Sequence, residues 1–153
     1  MRTNPGAPRP LRATATALTA VALLAAGYAA PAASAAAAKP SLASCYASGC
    51  TGKDPNKYTC SQDVRDLDVV YDRNYTTTLR LRYSPSCRAV WAREDDGRVG
   101  DYFWVRNSNN NTETQHIHSG TSNRTYMVND KDISAAACLM IVGRTTFTCT
   151  GWH

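Results

Sequence analysis

Two histidines flanking a single isoleucine, His116-Ile117-His118, are the side chains whose type and spacing come nearest to a reactive site. On a strand, positions i and i+2 point to one face, so both imidazoles can meet one metal ion. A metal needs a third ligand. Glu113 points to the other face of that strand, and His153 lies at the chain end. We therefore read His116 and His118 as polar residues on a solvent face beside the Asn-rich stretch 107–111, and assign no metal and no cofactor. Cleavage of a phosphodiester would need the same histidines grouped with Arg80 or Arg82 around one phosphate in a cleft. Those arginines read instead as a solvated stripe on an amphipathic strand, and no catalytic residue is assigned. A G-x-S-x-G nucleophile turn is absent. Asp95, Asp96 and Asp101, near Gly97 and Gly100, do not match the spacing of a calcium-binding loop and read as turn residues.

Six cysteines, Cys45, Cys50, Cys60, Cys87, Cys138 and Cys149, follow a leader-like N-terminus. An even count in a short exported domain implies a disulfide framework and an oxidising compartment. No C-x-x-C spacing occurs, which argues against zinc. Each cysteine has a plausible partner, which argues against Cys–His catalysis. A two-residue turn at Gly143-Arg144 sets residue 142 opposite 145 and, counting outward, Cys138 opposite Cys149. Opposed Cα atoms are about 4.5–5.5 Å apart, within disulfide reach. The other four can pair in three ways. The expected pairs are Cys50–Cys60, closing the loop around Pro55, and Cys45–Cys87, tying an irregular segment to the sheet.

The elements that must carry these residues follow a leader. Residues 1–35 read as a signal peptide: Arg2, Arg9 and Arg12 without an acid, then an Ala/Leu/Val run, then small residues with cleavage near 35–38. Leu42-Ala43-Ser44-Cys45 resembles a lipid-acceptor sequence, but Lys39-Pro40 separates it from the apolar run, and lipidation would leave five thiols unpaired. The expected product is a secreted, extracellular monomer with no membrane association after cleavage. The formal charge of the whole chain is +5. From Lys39 onward, 14 Lys and Arg face 12 Asp and Glu, a balance of +2. That is too weak for a nucleic-acid footprint. Roughly 115 residues remain, about one domain.

Residues 36–62, punctuated by Pro40, Gly49, Gly52 and Pro55, read as an irregular segment held by disulfides. Residues 63–153 read as the β domain, forming one domain with 36–62. From Asp66 the pattern has period two. Strands are predicted over 66–71, 76–83, 87–93, 99–106, 112–119, 124–128, 137–142 and 145–148. Leu79, Leu81 and Tyr83 share one face, and Arg80 and Arg82 the other. Glu94-Asp95-Asp96-Gly97 reads as a hairpin tip. Tyr102 and Trp104 share a face and, with Trp91, are expected in the core; exposed, they would stack on sugars or a protein partner. The fold class is all-β: a small disulfide-stapled barrel or sandwich of about seven short antiparallel strands.

The run Cys45-Tyr46-Ala47-Ser48-Gly49-Cys50-Thr51-Gly52-Lys53-Asp54-Pro55, continued by Cys60, resembles the opening of the YjfA-like family of small secreted bacterial proteins of unknown function. Residues 79–93, Leu79-Arg80-Leu81-Arg82-Tyr83-Ser84-Pro85-Ser86-Cys87-Arg88-Ala89-Val90-Trp91-Ala92-Arg93, are similar to its second signature. Met127-Val128-Asn129-Asp130, with Cys138 and Cys149, are similar to its C-terminal part. Arg80 departs from the Glu that the family pattern carries there. The resemblance implies export and a compact β domain and transfers no active site. The expected function is an extracellular binding or structural module without catalysis, with an extracellular protein or a cell-wall glycan as partner. The alternatives are a small secreted hydrolase using His116 and His118, or a secreted hydrolase inhibitor presenting loop 94–98 or 107–111.

Overall fold

Alternation along one strand organises the molecule. In the computed structural model, which describes residues 42–153, β2 (Thr77–Ser84) buries Leu79 and Leu81 on one side and turns Arg80 and Arg82 to the other. The expected leader 1–35 and its expected cleavage region near 35–38 lie outside the described residues. Around β2 lie β1 (Arg65–Asp72) and β3 (Ala89–Asp95), and β3 also pairs with two short strands, β6 (Asn123–Arg124) and β7 (Val128–Asn129). The second sheet runs β5-β4-β8-β9, with β4 (Tyr102–Asn107), β5 (Thr112–His116), β8 (Ala135–Met140) and β9 (Thr148–Cys149). All strand pairs are antiparallel.

Between the sheets, Leu79, Leu81, Val90 and Ala92 meet Phe103, Val105, Ala137 and Leu139 in one buried cluster. The architecture is therefore a sandwich rather than a barrel. Full burial of each large apolar side chain contributes about 1.5–3 kcal/mol. A second cluster lies on the far side of the first sheet, where Ala89, Trp91 and Met127 pack against Cys50, Cys60 and Cys87. The covering segment is built from three 3-10 turns, Ala47–Cys50, Pro55–Lys57 and Thr59–Ser61. Pro55 opens its turn with a φ already suited to it, and Asp54 caps it by accepting from Asn56 N at 3.0 Å.

Two of the three expected disulfides are corrected. The bridges are Cys45–Cys50, Cys60–Cys87 and Cys138–Cys149, with Cα separations of 5.2, 5.5 and 4.0 Å. Cys50–Cys60 and Cys45–Cys87 do not form. The 3-10 turn folds residues 45–50 back on themselves and sets Cys45 within bonding reach of Cys50. Ala47 N donates to Cys87 O at 2.7 Å, which docks that turn at the start of β3 beside Cys60. Cys138 does stand opposite Cys149, but β9 is only two residues long, so a longer loop replaces the expected two-residue hairpin.

Strict period two from Asp66 would set Leu67, Val69 and Tyr71 on one face of β1 and Asp66, Asp68 and Val70 on the other, and the structure differs from that expectation. A bulge between Asp66 and Asp68 adds one residue to the strand. Leu67 and Val70 thereby both pack on the core, while Val69 and Tyr71 are exposed. The single strand expected over 124–128 is broken into β6 and β7.

Candidate functional site: an aromatic sheet face

The continuous run Tyr102-Phe103-Trp104-Val105 fills both faces of β4. Phe103 and Val105 are fully buried between the sheets. Tyr102, Trp104 and Arg106 therefore project from the outer face of the second sheet. Tyr102 and Trp104 are half-buried there, which corrects the expectation that they lie in the core. Strand register supplies their neighbours: His116 and Met140 flank Tyr102, Thr114 and Cys138 flank Trp104, and Thr112 and Ala136 flank Arg106. No residue of this outward set is acidic.

The rings form a row. Phe147 meets Trp104 edge-on with centroids 5.6 Å apart, Trp104 lies 5.4 Å from Tyr102, and Tyr102 lies 4.7 Å from the His116 ring. His118 continues the row at 5.8 Å from His116. Beyond Trp104, the small side chain of Ala136 and the Cys138–Cys149 bridge form the floor of a groove of about 280 Å³, walled by Trp104, Arg106, Phe147 and Trp152. Phe147 and Trp152 are 61% and 51% exposed, high values for side chains of this size. Large exposed apolar patches on small domains mark contact sites.

The chain end is held in place to build one wall of the groove. Thr150 N donates to Ala137 O at 2.9 Å, and Ala135 and His153 exchange two backbone hydrogen bonds of 2.8 and 3.0 Å. Gly151 N donates to Asp68 Oδ2 at 2.8 Å. That bond, the largest influence on Asp68, holds its carboxyl below the usual carboxylate range. The Arg106 guanidinium then sits 5.6 Å from the centre of the Trp152 ring.

His116 and His118 are exposed on this face. The His116 carbonyl accepts from Asn123 Nδ2 at 2.7 Å. Among the described residues, no third His, Cys, Asp or Glu comes close enough to complete a metal site with the two imidazoles. Arg80 and Arg82 lie on the opposite side of the sandwich, because they alternate with the inward Leu79 and Leu81. There they pair with acids: Arg80 with Asp66 at 2.8 Å and Asp95 at 3.2 Å, and Arg82 with Asp66 at 3.2 Å. The Asp66 hydrogen bond, above all, raises the Arg80 pKa. The histidines and these arginines cannot surround a common phosphate.

Glu94 was expected at a hairpin tip and is instead wholly buried. It follows Val90 and Ala92 on the inward face of β3. Neither of its carboxyl oxygens has a hydrogen-bond partner among the described residues. Burial first, and the neighbouring Asp101 second, push its pKa up to about 8. Asp101, also buried, accepts backbone N–H groups from Arg98 at 2.7 Å and Val142 at 2.8 Å. The signal for Glu94 was present in the alternation of β3 and was masked by the acidic run that follows it.

Together these features define a class: a disulfide-stapled all-β sandwich with one side ion-paired and covered, and the other open and aromatic. Residues 48–138, more than half of the chain, match the family described as "Protein of unknown function (DUF2690)", and the chain belongs to that family. No curated protein and no solved structure matches the chain. The matched stretch includes Tyr102, Trp104, His116 and His118; Phe147 and Trp152 lie beyond it.

Proposed function

We propose that the chain is an extracellular binding module that holds a cell-wall glycan along the outer face of its second sheet. The observation that carries this reading is the uninterrupted row Phe147–Trp104–Tyr102–His116 on a face that no other segment among the described residues covers. Aromatic rings offer flat apolar area with little conformational entropy to lose, and the C–H face of a sugar ring stacks on such a surface. Thr112, Thr114, Arg106 and the two histidines lie close enough to meet sugar hydroxyls. Three disulfides support an oxidising compartment. Among the described residues, no helix is long and apolar enough to cross a membrane. The likeness of residues 45–55 and 79–93 to YjfA-like secreted bacterial proteins supports export by the same route.

Isothermal titration with soluble peptidoglycan fragments and neutral oligosaccharides tests the proposal. We expect saturable binding to at least one glycan, weakened about tenfold by Trp104→Ala, a loss of about 1.4 kcal/mol. Absence of binding to every glycan, or binding that Trp104→Ala and Tyr102→Ala leave unchanged, overturns it.

A further inference from the structure

The sulfurs of Cys45, Cys50, Cys60 and Cys87 all lie within 4.8 Å of one another. Cys45 Sγ stands 3.5 Å from Cys60 Sγ although the two belong to different bridges. Cys50, Cys60 and Cys87 are buried to 0%, 0% and 1% exposure, whereas Cys45 is only half-buried. The one cysteine of the four that is not fully buried, Cys45, is thus also the one whose sulfur touches the inner bridge. Nothing about simple stapling requires this arrangement, since two bridges can tie a segment down from separate places.

We propose that the two bridges form one exchange centre, in which reduction of Cys45–Cys50 by an extracellular dithiol is relayed inward to Cys60–Cys87. A thiolate of the dithiol attacks Cys45 Sγ, the Cys45–Cys50 bond breaks, and its electron pair leaves on Cys50, which takes a proton. The second thiol of the dithiol then attacks its own sulfur in the mixed disulfide. The dithiol departs oxidised as a cyclic disulfide, and Cys45 is released as a thiolate. Cys45 Sγ attacks Cys60 Sγ, forming Cys45–Cys60 and leaving the electron pair on Cys87. Ser86 Oγ, 4.0 Å away, is placed to donate to that sulfur. The chain gains two electrons, the dithiol loses two, and one disulfide and two thiols remain. Exchange by thiolate attack depends on access and on the leaving sulfur, and both are set here by position.

The consequence is structural. Cys60–Cys87 ties the covering segment to the first sheet, whereas Cys45–Cys60 lies wholly within that segment. Exchange therefore cuts the covalent tie over Trp91 and Met127 while keeping a bridge. The centre acts as a redox switch on the packing of the 3-10 turns against β3.

The test uses the native oxidised chain. Dithiothreitol is added stepwise until the Cys50 peptide first carries label after acid quench and alkylation with N-ethylmaleimide, and each bridge is then mapped by digestion at low pH and mass spectrometry. We expect a Cys45–Cys60 linked peptide, with Cys87 labelled to within about tenfold of Cys45, since both isomers contain one bridge in this cluster. Label confined to Cys45 and Cys50, with Cys60–Cys87 intact throughout, overturns the proposal. Cys50→Ser provides an independent arm without reductant. It should distribute its free thiol between Cys45 and Cys87, and a free thiol at Cys45 alone counts against the relay.

Discussion

Replacing Glu94 by Gln should flatten the pH dependence of stability above pH 5. Glu94 is fully buried, and both carboxyl oxygens lack a partner. Its pKa rises from 4.5 to about 8 in the folded chain, burial being the largest cause. Below pH 4.5 the group is protonated whether the chain is folded or not, and it contributes no pH dependence. Between 4.5 and 8 the unfolded chain releases the proton while the folded chain retains it, so stability falls as pH rises, by about 1.4 kcal/mol per unit. The loss reaches about 3 kcal/mol at pH 7 and levels off near 5 kcal/mol above pH 8. That is a large part of the roughly 5–15 kcal/mol that holds a domain of this size. Gln keeps the shape and cannot ionise. Its own packing cost is the same at every pH and cancels when each chain is compared with itself. Urea unfolding of both chains at pH 5 and pH 8.5 gives the quantity directly: wild type should lose about 4 kcal/mol more than E94Q across that interval, the remainder of the plateau falling outside it. Contributions from the other side chains are common to both chains and drop out of the comparison. Parallel stability curves for the two chains would refute the reasoning, because they would mean that Glu94 ionises as freely inside the fold as outside it.

Gly97 lies over the same carboxyl group. A Cβ there would come within 2.6 Å of Ile117 Cδ1, so Gly97→Ala should cost about 1–3 kcal/mol in urea unfolding. Removing Cys138–Cys149 with paired Ala substitutions opens an 11-residue separation and should lower stability by about 3 kcal/mol, with glycan binding weakened because the groove loses its floor. Asp68→Ala frees Gly151 N and should speed hydrogen exchange at residues 150–153 while leaving β2 and β3 protected.

How much of this was legible follows the range of the interactions. Local alternation located β2, and its inward Leu79 and Leu81, because both partners of that strand are sequence neighbours. The same alternation misplaced Val69 and Tyr71, since a bulge shifts the phase by one residue and leaves no compositional mark. Tyr102 and Trp104 went astray for another reason. An unbroken apolar run states that both faces of β4 contact something apolar, and cannot state which face meets the core. The pairing of Cys138 with Cys149 came from counting across one turn, whereas Cys60–Cys87 depends on how a 3-10 segment docks on a distant strand. Glu94 shows the reverse case: its periodicity placed it inward, and its company of Asp95, Asp96 and Gly97 suggested a turn.

The two outer faces of the sandwich are treated differently, and the difference bears on function. On the first sheet, disulfide-tied turns cover Trp91, and Arg80, Arg82 and Arg93 pair with Asp66 and Asp95 beside the exposed Val69 and Tyr71. On the second sheet, among the described residues, Arg106 has no ion pair and no turn crosses Tyr102 or Trp104. A chain that needed only stability would gain from covering these rings too, since each would contribute about 1.5–3 kcal/mol on full burial. Instead, hydrogen bonds from Gly151, Ala135 and His153 hold Trp152 half-exposed at the groove wall. In the proposed reading, these bonds hold the Trp152 indole beside Arg106 at the groove wall, so that the surface on which a glycan would stack is formed before the glycan arrives.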